Sequence, residues 1–474
     1  MLFKQLKVLS DEEINLIIDA GFDVMENVGC RFDSAWARKQ FKETGCTLID
    51  AQSVIRITRN KADEFLKTIP RLDPKLSRAA LHLPGAAHTS ILNPGATKSR
   101  PAVTSDVKDI IRISNALECL QVISAGVLPT DVPDGAADAV NAALLFQYSK
   151  KPFVQQPYSR NSARVMLSMA EVVYGGMENL KARADFGYLL AGKGSLRYTR
   201  ASLELARMYA SCGLPLVIGS RSRMGEEAPA TVAGSLVMLV AEFIAGVAFA
   251  VVAQCPAPVA LSDGMRAVDS NGKLRLSGPE QVVRMLGARQ IAEKLGFVAA
   301  PFIGETDSSG FDFAAGWEKS VATVYNWAAG ADPFGPAGNM PEAFSIPQLL
   351  LDHEGKRMIA RLIDGVTVDE DHMAISTLEQ VGIGGHFLGE DHTLDHMRDF
   401  WEPRLFSRAS YDDWLAQGAP GIEKAAVEKA REMLVAEKIE PAIAEDKALE
   451  VQKLSDAYLD KCRKSECAEE EPAD

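Results

Sequence analysis

The most chemically distinctive stretch of the chain is Gly384–Trp414, which contains three of the seven histidines and many arginines and carboxylates. His392 and His396 are four residues apart, a spacing that places two imidazoles on one helix face as in zinc sites, and His386 is a possible third ligand. The glutamate of the HExxH zinc motif is absent, because Thr393 follows His392. The alternative is that the histidines hydrogen-bond to nearby residues such as Asp391, Asp395 and Arg398. We favour this structural alternative and assign no metal ligand.

A second stretch, Gly304–Glu318, combines carboxylates with aromatic rings. They are Glu305, Asp307, Asp312, Glu318, Phe311, Phe313 and Trp317. A quaternary ammonium group cannot donate an N–H hydrogen bond, so aromatic faces and negative charge are what recognises it. The alternative is that Phe313 and Trp317 only pack the start of a helix.

Short apolar segments alternate with helical patterns from about Pro101 onward, and this alternation predicts the fold class. The expected strands are Ala102–Thr104, Gln121–Val127, Phe153–Gln156, Asp185–Leu190, Leu216–Gly219, Val259–Ser262, Ala299–Ile303 and Ala331–Phe334. Eight strands, each followed by a helix, predict an α/β protein with a (β/α)₈ TIM-type barrel. The competitor is a doubly wound sheet, which would ordinarily carry a glycine-rich turn after its first strand, and that turn is absent.

The barrel is expected to span residues 101–380, between two helical regions. Residues 1–100 read as an α-rich cap whose first helix begins at the capping residue Ser10. Residues 381–474 combine the histidine-rich stretch with a charged helical extension and an acidic tail. Helical ends of this kind favour a homo-oligomer.

Composition excludes some classes of partner and predicts a cytoplasmic protein. A formal net charge of −13 argues against general nucleic-acid binding and suits cationic ligands. Seven scattered cysteines without a CxxC pair predict reduced thiols, and the N-terminus lacks the apolar core of a signal peptide. Ala233–Ala253 is long and apolar enough to cross a membrane, but we expect a buried core helix in which Glu242 needs a partner.

The histidine-rich stretch also carries a family resemblance. It resembles the carboxy-terminal signature of the trimethylamine methyltransferase superfamily of corrinoid-dependent methyltransferases. The matching positions are Gly384, Gly385, Phe387, His392, Thr393, His396, Arg398, Trp401, Pro403, Leu405, Arg408, Tyr411 and Trp414. The pattern Asp312-x-x-x-Gly316-x-Glu318, the Ala241-Glu242 pair and the opening residues are similar to the family as well, so the resemblance covers almost the whole chain.

The resemblance implies a barrel enzyme that passes a methyl group from an amine to Co(I) of a cobalamin or corrinoid carried by a separate protein. The family's trimethylamine enzymes contain pyrrolysine, whereas this chain has only the twenty ordinary residues. This difference favours a quaternary-amine substrate, foremost glycine betaine, which would yield dimethylglycine. The leaving group is then a neutral tertiary amine, so the chemistry requires neither a catalytic acid nor a bound metal.

A betaine site needs an ammonium end and a carboxylate end, formed from the loops that follow the strands. The candidates for the ammonium end are Tyr158, Tyr188, Phe311, Trp317 and Phe334. The candidates for the carboxylate end are Gln156, Arg221 and His353. Asp307 is a further substrate-binding candidate, with the alternative that it only fixes neighbouring donors. Two rival functions remain open: a zinc-dependent barrel methyltransferase or hydrolase, and a non-catalytic betaine-binding protein.

Overall fold

The computed structural model describes residues 6–72, 88–182, 186–300, 304–330, 337–436 and 438–464. The helices are α1 Asp11–Asn27, α2 Ala35–Glu43, α3 Arg59–Thr68, α4 Thr104–Ala116, α5 Ala137–Tyr148, α6 Arg160–Tyr174, α7 Met177–Lys181, α8 Arg200–Ser211, α9 Val232–Val252, α10 Pro279–Lys294, α11 Phe313–Ala328, α12 Ile346–Asp364, α13 Glu370–Met373, α14 Ile375–Val381, α15 Asp391–His396, α16 Tyr411–Ala416, α17 Ile422–Ala436 and α18 Glu445–Arg463. Short 3₁₀ turns cover Asp50–Gln52 and Met397–Asp399. The strands are β1 Cys30–Phe32, β2 Thr47–Ile49, β3 Val54–Arg56, β4 Ser90–Leu92, β5 Arg100–Pro101, β6 Tyr188–Gly192, β7 Arg197–Tyr198, β8 Leu216–Ser220, β9 Arg223–Met224, β10 Val259–Asp263, β11 Arg266–Val268, β12 Leu274–Arg275, β13 Val298–Ala300 and β14 Phe344–Ser345.

A parallel sheet with the order β13-β10-β8-β6 forms the centre of the molecule. Its strands alternate along the chain with α8, α9 and α10, as the sequence predicts for βα units. Parallel bridges between Ile123 and Phe153 and between His88 and Val127 extend the pattern to earlier segments. The fold is therefore mixed α/β with a parallel core sheet, and the eight-stranded barrel remains a prediction.

The predicted strands fare differently according to how regular their backbone is. Leu216–Gly219 and Val259–Ser262 are confirmed, because β8 and β10 are buried at every position. Ala102–Thr104 is wrong: Thr104 begins α4, where Asp106 accepts the Val103 N–H at 2.8 Å. The segments near Ile123 and Phe153 make only single bridges. Residues 185, 301–303 and 331–334 of the predicted strands lie outside the described residues.

The predicted first helix is confirmed together with its start signal. Ser10 accepts the Glu13 N–H, and the Glu13 carboxylate accepts the Ser10 N–H at 2.7 Å, so the two residues form a capping box. The apolar face of α1 is buried against α9. A side-chain carbon at Gly21 would lie 2.4 Å from Val240, so glycine allows the two helices to approach closely. The N-terminal region thus shares its core with the sheet region.

The apolar segment that could cross a membrane is a core helix, as expected. Helix α9 is the one described helix long and apolar enough to span a bilayer, and 89% of its most apolar window is buried. It packs on β8 and on α1. Its length is therefore explained by burial within the protein.

The segment of residues 365–421 differs from the rest of the chain in having almost no core. Helices α13, α14, α15 and α16 contain no buried residue. Large apolar side chains in this segment are exposed, among them Ile383, Leu388 and Phe400. The following helices α17 and α18 return to the body of the protein, where Ala430 and Val451 are fully buried.

Candidate active site

Arg221 lies at the carboxyl end of the parallel sheet, where the chain leaves β8. Its side chain passes over Gly264 after β10, since a side-chain carbon at Gly264 would lie 3.3 Å from Arg221 Cγ. The side chain keeps accessible surface, yet desolvation by the surrounding protein lowers its pKa. Arg221 therefore keeps contact with solvent while it lies against the protein surface, at the end of the sheet where the predicted barrel would open.

Two of the predicted aromatic residues lie near Arg221. Desolvation by the surrounding protein raises the pKa of both the Tyr158 and the Tyr188 hydroxyl, and the positive charge of Arg221 opposes this rise. The Tyr158 side chain is 59% exposed, while its backbone N–H donates to Asp138 at 2.7 Å. Tyr188 is buried, with its ring 5.4 Å from that of Tyr209. The structure thus brings together three of the predicted residues, with Tyr158 the more accessible ring.

Two buried ion pairs lie near Arg221, at the carboxyl end of the parallel sheet. Arg266 donates to Glu305 at 2.6 Å, and both side chains are more than nine-tenths buried. Arg284 pairs with Asp263, the last residue of β10. The charge of Arg266 lowers the pKa of Arg221, and Glu305 partly offsets this effect. Because buried pairs need their partners, Arg266 and Glu305 hold each other in place.

The other carboxylates of the loop after β13 are engaged in holding that loop. Asp307 accepts the Leu276 N–H at 2.7 Å, which ties this loop to the preceding one. Glu318 accepts from the Thr306 hydroxyl at 2.6 Å. Asp312 caps α11 by accepting the Ala315 N–H at 2.9 Å. Asp307 thus holds backbone in this structure, and its predicted contact with substrate stays a prediction.

Phe311 and Trp317 have surroundings of their own in the loop and helix that follow β13. Trp317 is 61% exposed and stacks on the exposed ring of Phe313 at 5.6 Å. Phe311 lines a cavity of about 120 Å³ between α11 and α12, whose wall includes the Lys319–Asp352 ion pair. These rings are not assembled into an enclosed cage, and Phe334 lies outside the described residues.

Gln156 is placed near the sheet but its amide is used within the fold. Its Oε1 accepts the Leu189 N–H at 2.9 Å, and its Nε2 donates to the Gly187 carbonyl at 3.5 Å. The side chain thus fixes the start of β6 beside Tyr188. The amide nitrogen has a second N–H, so the expectation that Gln156 donates to a ligand stays a prediction.

His353 lies beside a turn that comes before a strand-like segment, whereas Arg221 comes directly after a strand. It is buried on α12, and its Nε2 lies 3.4 Å from the Cys119 amide and 3.2 Å from a Glu118 carboxylate oxygen, in the turn before the Ile123 bridge. His353 therefore does not join the candidate site, because its position along α12 directs it toward this turn.

A change at His353 should alter stability and leave substrate affinity intact. Burial lowers its pKa from 6.5 to about 4, although Glu118 opposes the shift. The folded state thus resists a proton that the unfolded state accepts between these values, so stability falls as pH drops through this window. In denaturant unfolding, His353→Gln should lose this acid-side slope and about 1–2 kcal/mol at neutral pH. A raised KM for betaine would contradict this placement.

His88 is a residue that the sequence analysis did not single out. It forms the parallel bridge with Val127, and burial lowers its pKa while Glu305 opposes the shift. Its Nε2 is buried and makes no hydrogen bond to any described residue. A lone histidine gives no sequence signal, and its proximity to Glu305 depends on a contact across more than 200 residues.

The histidines of the carboxy-terminal stretch have partners other than those given as examples. His396 pairs with Asp399 at 2.7 Å and with Asp371 at 3.2 Å, and the ring of His392 lies 4.4 Å from that of His396. The expectation that these histidines hydrogen-bond to nearby residues is thus confirmed for His396, whose partners are Asp399 and Asp371 rather than the residues given as examples. His386 is not a member of this cluster.

Comparison with known proteins agrees with the sequence resemblance. The model of the trimethylamine methyltransferase family, MTTB, matches residues 2–466. The chain belongs to this family. It is 26% identical over 440 residues to trimethylamine methyltransferase MttB of Desulfitobacterium hafniense, which covers 90% of this chain and 88% of that protein. It is also 26% identical over 436 residues to a glycine betaine methyltransferase of Desulfitobacterium hafniense, covering 87% and 89%.

Membership in the MTTB family makes the chain a methyltransferase. A third relative, trimethylamine methyltransferase MttB of Methanosarcina thermophila, is 24% identical over 464 residues and covers 93% of this chain and 95% of its own. The solved monomethylamine methyltransferase MtmB of Methanosarcina barkeri aligns with a TM-score of 0.45 at 10% identity, covering 92% and 89%. That structural likeness is too distant to carry a conclusion about this member of the MTTB family.

Proposed function

We propose that this methyltransferase removes a methyl group from a quaternary amine, foremost glycine betaine, and transfers it to Co(I) of a corrinoid held by a separate protein. We further propose that the parallel sheet belongs to a closed (β/α)₈ barrel with Arg221 at its mouth. The family relatives include trimethylamine and glycine betaine enzymes at equal identity, so they do not choose the substrate. The choice must come from the site.

The observation that supports a betaine is the position of Arg221 directly after β8, near enough to Tyr158 and Tyr188 for its charge to act on the pKa of both hydroxyl groups. Glycine betaine carries a carboxylate as well as a quaternary ammonium, whereas trimethylamine has no anionic group. A guanidinium binds a carboxylate through two parallel hydrogen bonds. The tyrosine rings offer faces for the ammonium end. A site with both features suits a zwitterion better than a simple amine.

The protein's part in the reaction is mainly to hold and orient the substrate. In our proposal Arg221 holds the carboxylate, Tyr158 covers the ammonium group, and one N–CH₃ bond points out of the mouth toward the partner. A corrinoid in its Co(I) state supplies the nucleophile. When the N–C bond breaks, its electron pair stays on nitrogen, so dimethylglycine leaves as a neutral amine without a proton donor. Such positioning can account for a large rate gain.

Replacing Tyr158 should test the ammonium end separately. Tyr158→Ala should raise KM for glycine betaine about 2- to 30-fold, because a cation over an aromatic ring gains roughly 0.5–2 kcal/mol. Tyr158→Phe keeps the ring and should remain close to wild type. Trp317→Ala is the matched control, since Trp317 is about equally exposed and lies on helix α11. A larger effect for Trp317→Ala than for Tyr158→Ala would contradict this assignment.

Self-association of the chain is also part of the proposal. The segment of residues 365–421 exposes many apolar side chains and buries almost none, so we propose that a second copy covers them. The mass of the purified protein by light scattering tests this directly.

We further propose that the enzyme works in the cytoplasm and binds neither nucleic acid nor membrane, in keeping with its net charge of −13 and its buried apolar helix.

Calorimetry with the purified chain tests the substrate class. Glycine betaine should bind more tightly than tetramethylammonium, which has the same cationic end and no carboxylate. Equal affinity for both would contradict a role for Arg221 in recognition. Binding without methyl transfer to any corrinoid would instead support the rival function of a betaine-binding protein.

A further inference from the structure

A group of side chains of the types that bind metal ions lies outside the candidate active site, in the segment of residues 365–421. His392 and His396 stand one turn apart on α15, and Asp371 on α13 faces them. One possible ligand atom from each of the three residues lies within 4.8 Å of the other two. Two imidazoles and a carboxylate form a ligand set that suits divalent zinc.

The distances point to a common centre. His396 Nε2 lies 3.2 Å from Asp371 Oδ2, which is close to the separation of two ligands on one tetrahedral zinc ion. The ring of His392 lies 4.4 Å from that of His396, and its Nε2 lies 3.0 Å from the Asp371 carbonyl. The three side chains are exposed or half-exposed, so their ligand atoms are free of the packing that would fix them in a core.

The outer neighbours of the cluster support the same interpretation. His396 Nδ1 lies 2.7 Å from Asp399 Oδ2, an arrangement in which the carboxylate fixes the tautomer and leaves Nε2 as the ligating nitrogen. Metal-bound histidines typically have such a carboxylate partner. His372, whose ring lies 4.9 Å from that of His396, is oriented in the same way by Asp369 at 2.7 Å. His396 is thus held in the orientation that a metal ligand needs, and His372 beside it is tethered in the same manner.

The surrounding segment buries too little apolar surface for packing to stabilise it, so a cross-link would add stability there. Its short helices α13 and α15 bury no residue, so packing contributes little to holding them together. A structural metal ion commonly supplies stability where a core is too small. The link would join two helices about twenty residues apart. It would also lie beside the end of α12, where Arg361 donates to the Asp399 carbonyl at 3.3 Å.

We propose that Asp371, His392 and His396 bind one divalent transition-metal ion, foremost Zn²⁺, with Asp399 orienting His396. The ion staples the carboxy-terminal segment and takes no part in methyl transfer. The proposal is independent of the substrate, because it concerns residues outside the candidate active site.

Zinc titration of the full chain tests this proposal. After removal of bound metal with a chelator and dialysis, calorimetry with ZnCl₂ should show one site per chain. His392→Ala and His396→Ala should each weaken zinc binding at least about 100-fold, and Asp399→Asn about 10- to 100-fold. His386→Ala is the matched control, because His386 lies in the same segment outside the cluster and should leave affinity unchanged.

A second readout separates a structural site from loose binding. Zinc should slow proteolytic cleavage within residues 365–421 in the wild type and in His386→Ala, and should have no such effect in His396→Ala. The proposal is overturned if the wild type binds zinc no better than His396→Ala. It is also overturned if His386→Ala weakens binding as much as His392→Ala.

Discussion

Arg221→Gln should raise KM for glycine betaine about 10- to 100-fold with little change in the thermal stability of the protein. A hydrogen bond between charged groups contributes about 1.5–3 kcal/mol, and this variant keeps a polar side chain while removing the charge and the paired donors. Stability should change by no more than about 0.5 kcal/mol, because the side chain retains accessible surface. Steady-state kinetics and a melting curve measure both quantities.

The controls for this variant follow from the chain and from the ligand. Arg223 lies two residues away, in exposed ion pairs with Glu226 and Glu227, so Arg223→Gln should leave KM near the wild-type value. Arg221→Gln should also bind tetramethylammonium as well as the wild type does, since that ligand lacks a carboxylate. If the variant loses affinity for both ligands by the same factor, Arg221 supports the structure of the site without binding the carboxylate.

Glu242→Gln should stabilise the protein at pH 8 and remove a pH dependence that the wild type shows. Glu242 is fully buried, and burial raises its pKa from 4.5 to about 8, while the Ser220 hydroxyl and the Leu196 backbone oppose the rise. Neither carboxylate oxygen makes a well-formed hydrogen bond to a described residue. Its neighbours are thus polar groups rather than the counter-ion that the sequence analysis sought, and the carboxyl is mostly protonated at neutral pH.

The direction of this effect follows from proton binding. Between pH 4.5 and 8 the unfolded chain has lost a proton that the folded protein keeps, so wild-type stability falls as pH rises through this window. The full loss is on the order of 3–5 kcal/mol, from about 1.4 kcal/mol per unit of pKa. Glutamine has the shape of the protonated acid and cannot ionise. Denaturant unfolding at pH 5.5 and pH 8 measures the difference.

Gly192 explains how the fold accommodates Glu242, and Glu226 supplies the control. A side-chain carbon at Gly192 would lie 2.8 Å from the Glu242 carboxyl carbon, so glycine leaves room for this group beside the end of β6. Glu226→Gln, at an exposed position, should keep the wild-type slope. Parallel pH profiles for Glu242→Gln and the wild type would show that Glu242 does not titrate in this range.

The parts of the fold that sequence could predict are those governed by local signals. The capping box at Ser10 and the apolar face of α1 depend on residues close in sequence, and both are confirmed. The runs of β8 and β10 are buried at every position, which gives a strong pattern. Arg221 was found because it follows such a strand. The segments near Ile123 and Phe153 were predicted as full strands, but their backbone forms only a single bridge.

The parts of the site that sequence could not predict depend on partners distant along the chain. The Leu276 amide engages Asp307 across 31 residues, and Asp371 approaches His396 across 25. The His353 side chain contacts the turn at Cys119, which is distant along the chain, so no local sequence pattern could indicate that contact. Residue type and strand position therefore nominated candidates, and tertiary contacts decided which of them lie together.

The most direct test of the proposed function is methyl transfer to Co(I) cobalamin, followed by the visible spectrum as methylcobalamin forms. With purified chain, glycine betaine should give methylcobalamin and dimethylglycine, while trimethylamine should give neither. Transfer from trimethylamine but not from glycine betaine would contradict the account.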